Sequence, residues 1–515
     1  MANFQLFQSQ RGKQVPAANA RNEAGGLAYQ RTPQGALALY AATGCLNGTI
    51  YADAQTQLEK VLELCGKVPA EFIAKTAVYA RQRGHMKDMP ALLLAWLAQH
   101  DGALCVQVFE RVVDNGRMLR NFVQIVRSGT IGRKSLGSRP KRLVKQWLER
   151  ADVNQILHAA IGQQPSLADI VRMVHPKPAD AQREALYAWL IGKPHDAANL
   201  PELVQRFEAF KRGEGQGEVP ELNFQYLTAL PLDTQQWKAI ARRASWQTKR
   251  MNLNTFLRHG VFGDAALTKE IAAGLSDAAQ VRKARVFPYQ LLGAWNAASA
   301  DMPQAIRDAL QDAMEIATEN TPALPGNVVV AIDVSGSMHS PVTGHRKGAT
   351  SALRCVDVAA LVAACIKRRN PAARILPFDT EVRSTVINAR DSVITQARQL
   401  AALCGGGTRV SAPVQKLNQE GARVDTLVIV SDNESWADTR RGNGTATMRE
   451  WHALKVRCPN AKLVCIDLQP YATSQTGTSA DVLHIAGFSD AVFDLLADAA
   501  NGERDWLQRI AAVKL

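Results

Sequence analysis

Asp333, Ser335 and Ser337 stand at alternate positions in VVVAIDVSGSM, residues 328–338, where an apolar run expected to be a β-strand gives way to a loop. Two more oxygen-bearing side chains follow at a distance: Thr408, after the glycines of CGGGT, and Asp432, after a second apolar run in TLVIVSD. In an open α/β sheet, the C-terminal ends of parallel strands form the ligand-binding edge, so the three segments are expected to converge there. Carboxylate and hydroxyl oxygens suit a hard divalent cation, Mg²⁺ above all, which gives up its waters slowly. The five residues are therefore expected to hold one divalent metal ion. A strand followed by Asp-x-Asp would suggest a phosphatase. Ser335 takes the place of the second acid, so nothing remains to protonate a leaving group.

The pattern resembles the metal-ion-dependent adhesion site of von Willebrand factor A domains. That resemblance implies a binding centre with one coordination position open to a partner's acidic oxygen, and no hydrolysis.

The elements that must position these residues follow from the patterning. After Leu324-Pro325-Gly326, short apolar runs alternate with helical stretches. The strands are VVVAI, ARILPF, TLVIV, KLVCID and VLHIAG, and the helices fall at 356–368, 393–403, 448–456 and finally in AVFDLLADA. Uninterrupted apolar strands suit burial on both faces of a parallel sheet, so this half is expected to be an α/β, Rossmann-like domain over 326–515. From about 30 to 320 the periodicity is helical. Asp53 is placed to cap a helix with Leu58, Val61, Leu62 and Cys65 on one stripe and Gly66 at its end. Similar units fall at 69–83, 90–99, 106–126, 140–150, 180–191 and 200–210, separated by short turns. Stacked antiparallel helix pairs are expected over 30–325, curving around a concave or central surface, with residues 1–29 as an extension.

Composition limits the partners. The chain of 515 residues carries 61 Lys and Arg against 47 Asp and Glu, a net charge of +14. Residues 1–326 hold 39 bases and 29 acids, and residues 327–515 hold 22 and 18. The steepest patch is 111–150, with eleven bases and two acids, including Arg133, Lys134, Arg139, Lys141, Arg142 and Lys145. Such a run is either a solvated helix face or a phosphate-binding surface. Its Gly and Pro breaks point to a basic loop entering a helix whose Leu143, Val144 and Trp147 face inward. Eight scattered cysteines with no C-x-x-C pair read as reduced packing residues of a cytoplasmic protein. No apolar run approaches the ~20 residues of a membrane span, and the N-terminus lacks the apolar core of a signal peptide.

A helical region followed by AIDVSGSM, GGGT and VSDNESW in that order resembles the Ro autoantigen family, with its TROVE domain and von Willebrand A domain. GCLNGTIY (44–51), RGHMKDMP (83–90), DIVRMVHPKP (169–178), MNLNTF (251–256) and RKARVFPY (282–289) carry the resemblance through the helical region. It implies a ring of HEAT-like helical repeats closed by the A domain. It further implies a basic outer surface that binds small non-coding Y RNA, and a central hole that takes single-stranded 3′ ends of misfolded or precursor RNA. Arg172, His175 and Lys177 would lie on the Y RNA face, with the run from Arg133 to Lys145 supplying phosphate contacts nearby. Degradation would fall to a recruited exoribonuclease, and a closed ring makes a monomer sufficient. The chain departs from the family where His158, Gly162, Gln163 and Gln164 stand in a stretch that is basic there. It departs again at Asn47 and Ile50, and at Phe287 in place of a histidine. The alternative is a metal-dependent protein-interaction scaffold in which RNA binding is incidental.

Overall fold

The computed structural model describes residues 15–44, 46–162, 164–214, 218–284, 286, 288–345, 353–438, 444–487, 492–493, 495–497 and 506–515. The first half of the expected N-terminal extension, Gln163, Phe287 and much of the expected final helix near 491–499 lie outside that set.

Helices fill the first part of the chain, from Pro33–Thr43 to Gln304–Ala317. Asp53 begins Ala54–Cys65 as expected, accepting the Thr56 N–H at 2.7 Å. Its buried stripe is turned from the expected one: Gln57, Val61, Leu64 and Cys65 are buried, while Leu58 and Leu62 are only partly so. Packing against Pro33–Thr43 decides the face, and Gln57 turns inward toward the Thr49 hydroxyl. The stretch 106–126, expected as one helix, is two, Gly102–Val112 and Gly116–Arg127. Asn115 breaks it by accepting the Met118 N–H at 3.1 Å, because a short polar side chain competes with the backbone for its own donors. Asp88–His100 packs on Ala70–Gln82, Gly102–Val112 and Gly116–Arg127, and Ala70–Gln82 also packs on Gly102–Val112, giving stacked helices.

The second part contains a five-stranded parallel sheet. Its strands are β3 (Val328–Asp333), β4 (Arg374–Phe378), β5 (Thr426–Ser431), β6 (Lys462–Asp467) and β8 (Val482–Ala486), ordered β4-β3-β5-β6-β8. Side chains alternate across a strand, so Val328, Val330 and Ile332 join one core while Val329 and Ala331 join another on the opposite face. Burial on both faces is why these strands read as unbroken apolar runs. The first of these cores crosses from the A domain into the helices. Trp237, Phe256, Leu291 and Met314 belong to the same cluster as Val330, Val430 and Ile466, while the helices up to Val204 enclose a separate core.

Three contacts close the chain on itself. A hairpin of β1 (Ala20–Arg21) and β2 (Leu27–Gln30) pairs antiparallel with β7 (Thr473–Ser474) of the A domain. The terminal helix Trp506–Ala511 packs on Pro33–Thr43 and Ala70–Gln82, where Lys75 Nζ reaches the Ala511 carbonyl at 2.9 Å. Gln304–Ala317 lies against Val393–Ala401, where Glu315 accepts the Val393 N–H at 2.8 Å and pairs with Arg368 at 3.1 Å. Both ends of the helical region thus meet the A domain, and the helices and A domain form a ring. Among the described residues no helix is long and apolar enough to cross a membrane.

Candidate functional site

β3 ends at Asp333, and the chain then turns so that the carboxylate accepts from its own loop: Oδ1 takes the Ser335 N–H at 2.9 Å. The Ser335 and Ser337 hydroxyls lie 3.2 Å apart. β5, hydrogen-bonded beside β3, delivers Ser431, whose hydroxyl donates to Asp333 Oδ2 at 2.6 Å, and then Asp432. The glycine loop is fastened to the first by Gly336 N–H to Gly406 O at 2.9 Å and Gly405 N–H to Val334 O at 2.7 Å. Close approach requires Gly406, whose φ is +80° and whose added Cβ would stand 2.5 Å from the Asp379 carboxylate. Thr408 is anchored through its carbonyl, which accepts the Trp436 and Ala437 N–H groups at 3.2 and 3.1 Å. Asp333, Ser335, Ser337, Thr408 and Asp432 are all buried, the most exposed at 8%.

The electrostatics call for a cation. Burial and the neighbouring Asp432 carboxylate raise Asp333 to about 7, and burial raises Asp432 as well. Among the described residues no Lys or Arg pairs with either, whereas the nearby Asp467 is held below the usual carboxylate range despite its burial, by Arg31 and then His484. Two buried carboxylates among hydroxyls, without a basic partner, fit a hard divalent ion.

Segments from the N-terminal part of the chain lie over these residues. Asn22 Nδ2 donates to the Ser435 carbonyl at 2.8 Å, and the Ala24 N–H donates to Glu434 Oε2 at 3.1 Å. Asn47 Nδ2 reaches the Thr343 carbonyl at 2.7 Å, and His345 pairs with Gly48. Tyr51 packs edge-on against Tyr471, ring centroids 5.9 Å apart. Burial raises the Tyr51 phenol to about 12, with Asp432, Glu434 and Asp333 adding to the shift and the Ser337 hydroxyl opposing it. Glu434 is fully buried, and burial followed by Asp432 raises it to about 9.

The basic residues lie elsewhere, on the helices Ser138–Arg150 and Leu167–Val174 and on the segments that precede the first and follow the second. The two expected segments adjoin through Glu149, which pairs with Lys145 at 3.8 Å and accepts the Lys177 N–H at 2.9 Å. Lys134, Lys141, Arg142 and Lys177 are exposed. Others are engaged within the chain. Arg133 is half-buried, its guanidinium 3.5 Å from the Ala98 carbonyl, and Arg139 lies across Gly102, where an added Cβ would meet it at 1.7 Å. Arg172 reaches the Ile191 carbonyl at 2.6 Å and Asp169 at 3.5 Å. His175 caps its helix in the left-handed region, φ 49°, with the residue exposed. The stretch 158–164, expected to lack base, receives it from the neighbouring helix: Arg120 lies against Gly162, its Nε buried without a hydrogen-bond partner. Arg120 was legible only as one of the eleven bases in 111–150; its placement beside Gly162 needs the packing of Gly116–Arg127 on Val153–Ala160.

Comparison with known proteins agrees with this architecture. Residues 327–500 match the family model described as the Ro60 vWA domain. The protein named RNA-binding protein RO60 from Deinococcus radiodurans is 26% identical over 522 residues, which cover 94% of this chain and 95% of the relative. The RNA-binding protein RO60 of Caenorhabditis elegans is 24% identical over 253 residues, 47% of this chain and 38% of that protein. The crystal structure of the Deinococcus radiodurans RO (RSR) protein shares the fold with a TM-score of 0.61 at 20% identity, covering 92% of this chain and all of that one.

Proposed function

Because the chain is a Ro-family protein, we propose that it is a non-catalytic RNA-binding protein. On this reading it holds a small structured Y-like RNA on its basic outer surface and takes single-stranded 3′ ends of misfolded or precursor RNA into the opening of the ring, with a recruited exoribonuclease doing any cutting. The observation that carries the reading is the joined basic surface. Glu149 ties the helix Ser138–Arg150 to the His175–Lys177 turn, which brings the exposed Lys177 to the helix that carries the exposed Lys141 and Arg142. Spaced cations on a rigid helical frame position a phosphate backbone and carry little sequence information. RNA is then told from other polyanions by shape and by its single-stranded end. A single ring suffices for both sites, so the protein acts as a monomer.

The metal centre belongs to the same reading as a separate site, with Mg²⁺ held by Asp333, Ser335, Ser337, Thr408 and Asp432. The bound ion supplies a fixed positive charge that neutralises the two buried carboxylates.

Sequencing the RNA that co-purifies with the protein from its host tests the reading, with Lys134, Lys141, Arg142 and Lys177 all changed to Ala as control. Enrichment of one small structured RNA, lost in the variant, is the expected result. No enrichment over a size-matched control protein would refute RNA binding and leave the metal-dependent scaffold as the better account.

A further inference from the structure

An A domain that captures partners needs its ion within reach of a foreign carboxylate. Here the five candidate ligands are buried, and the segments over them come from the far end of the chain. The β1–β2 hairpin is held to the metal loops by Asn22 on the Ser435 carbonyl and Ala24 on Glu434, while the 47–51 segment is held by Asn47 on Thr343 and Gly48 on His345. Gly26 lies so close that an added Cβ would stand 1.9 Å from the Ser435 oxygen. Under this cover sits the Glu434 carboxyl, which the fold engages through one oxygen only. The Glu434 N–H donates to Asp432 at 3.3 Å and its Oε2 takes the Ala24 N–H at 3.1 Å, but its Oε1 is buried without a hydrogen-bond partner. A buried carboxyl oxygen with no donor is costly and calls for a partner.

We propose that the metal site is closed in cis: Glu434 takes the role that a partner's acid plays in an adhesive A domain, so that the ion latches the N-terminal hairpin to the A domain. The inference rests on the metal reading given above. Asp333, Asp432 and Glu434 do not form a three-carboxylate cluster in the described structure. Glu434 therefore acts through a water of the ion, in keeping with the reluctance of Mg²⁺ to shed its waters. Its second oxygen holds the hairpin, and through it the metal site is coupled to closure of the ring.

The test uses the full chain and Mn²⁺ as probe. Binding is followed in the wild type, Asp333→Ala and Glu434→Gln, together with amide hydrogen exchange over 20–31 and 46–51. One ion per chain is expected, lost in Asp333→Ala and bound at least about tenfold more weakly in Glu434→Gln, as for groups that orient metal ligands and their waters. Saturating Mn²⁺ should slow exchange over both segments in the wild type, a comparison that needs no variant. An unchanged affinity in Glu434→Gln, exchange indifferent to Mn²⁺, or a short acidic peptide binding the Mn²⁺-loaded wild type while the hairpin stays protected would overturn closure in cis and leave the metal site standing. If the wild type binds no Mn²⁺ saturably, the metal reading fails and the closure falls with it.

Discussion

Replacing Lys134, Lys141, Arg142 and Lys177 together by Ala should change the salt dependence of RNA binding by a calculable amount. These four cations are exposed, and among the described residues no carboxylate pairs with them, in contrast to Lys145 with Glu149 and Arg172 with Asp169. Each phosphate contact contributes about 0.7 to 0.9 to the slope of log affinity against log salt. Loss of four contacts should therefore make the slope shallower by about 3 and weaken binding about a thousandfold near 0.1 M salt, with little difference remaining near 1 M. Exposed substitutions of this kind cost within about 0.5 kcal/mol of stability each, so the ring stays folded. The assay is fluorescence anisotropy of a labelled stem-loop RNA with a single-stranded 3′ tail, titrated at several KCl concentrations. A loss of affinity independent of salt, or an unchanged slope, would show that these side chains do not meet phosphate and that the joined basic face is not the binding surface.

Three further outcomes are expected. Arg31→Met removes a buried pair, 2.7 Å from Asp467, and strands that carboxylate, so stability should fall by about 3–5 kcal/mol in a denaturant titration. Asp467→Leu added to it should restore much of the loss, and because the pair holds Asp467 below its ordinary pKa, its contribution is present above about pH 4 and vanishes as the pH drops through the native value. Asp333 has the opposite sign: its folded pKa, about 7, lies above the unfolded one, so in chelator the melting temperature should decline as pH rises from about 4 to 7, and Mg²⁺ should abolish that decline. Gly26→Ala should detach the hairpin, since the new methyl would meet the Ser435 carbonyl, and limited proteolysis near residue 26 should then run faster than in the wild type.

The amino-acid sequence by itself determined what depends on near neighbours and simple periods. Asp333, Ser335 and Ser337 are brought together by two-residue spacing at a strand end, and the unbroken apolar runs specify strands covered on both faces. Thr408 and Asp432 were legible because the order of α/β units dictates which strand ends gather at one edge. Helical periodicity also misled: 106–126 reads as one unit, yet Asn115 caps a second helix, Gly116–Arg127, within it. Only the tertiary structure decided how distant parts of the chain meet. Arg31 and Asp467 are 436 residues apart, Asn22 and Ser435 are 413 apart, and Lys177 meets Glu149 across two helices. No period or cap encodes such pairs, because each exists only once the ring has closed and its cores have packed. Ring closure therefore sets the hairpin and Tyr51 over the loops that carry Asp333, Thr408 and Asp432, although the loops themselves are specified locally.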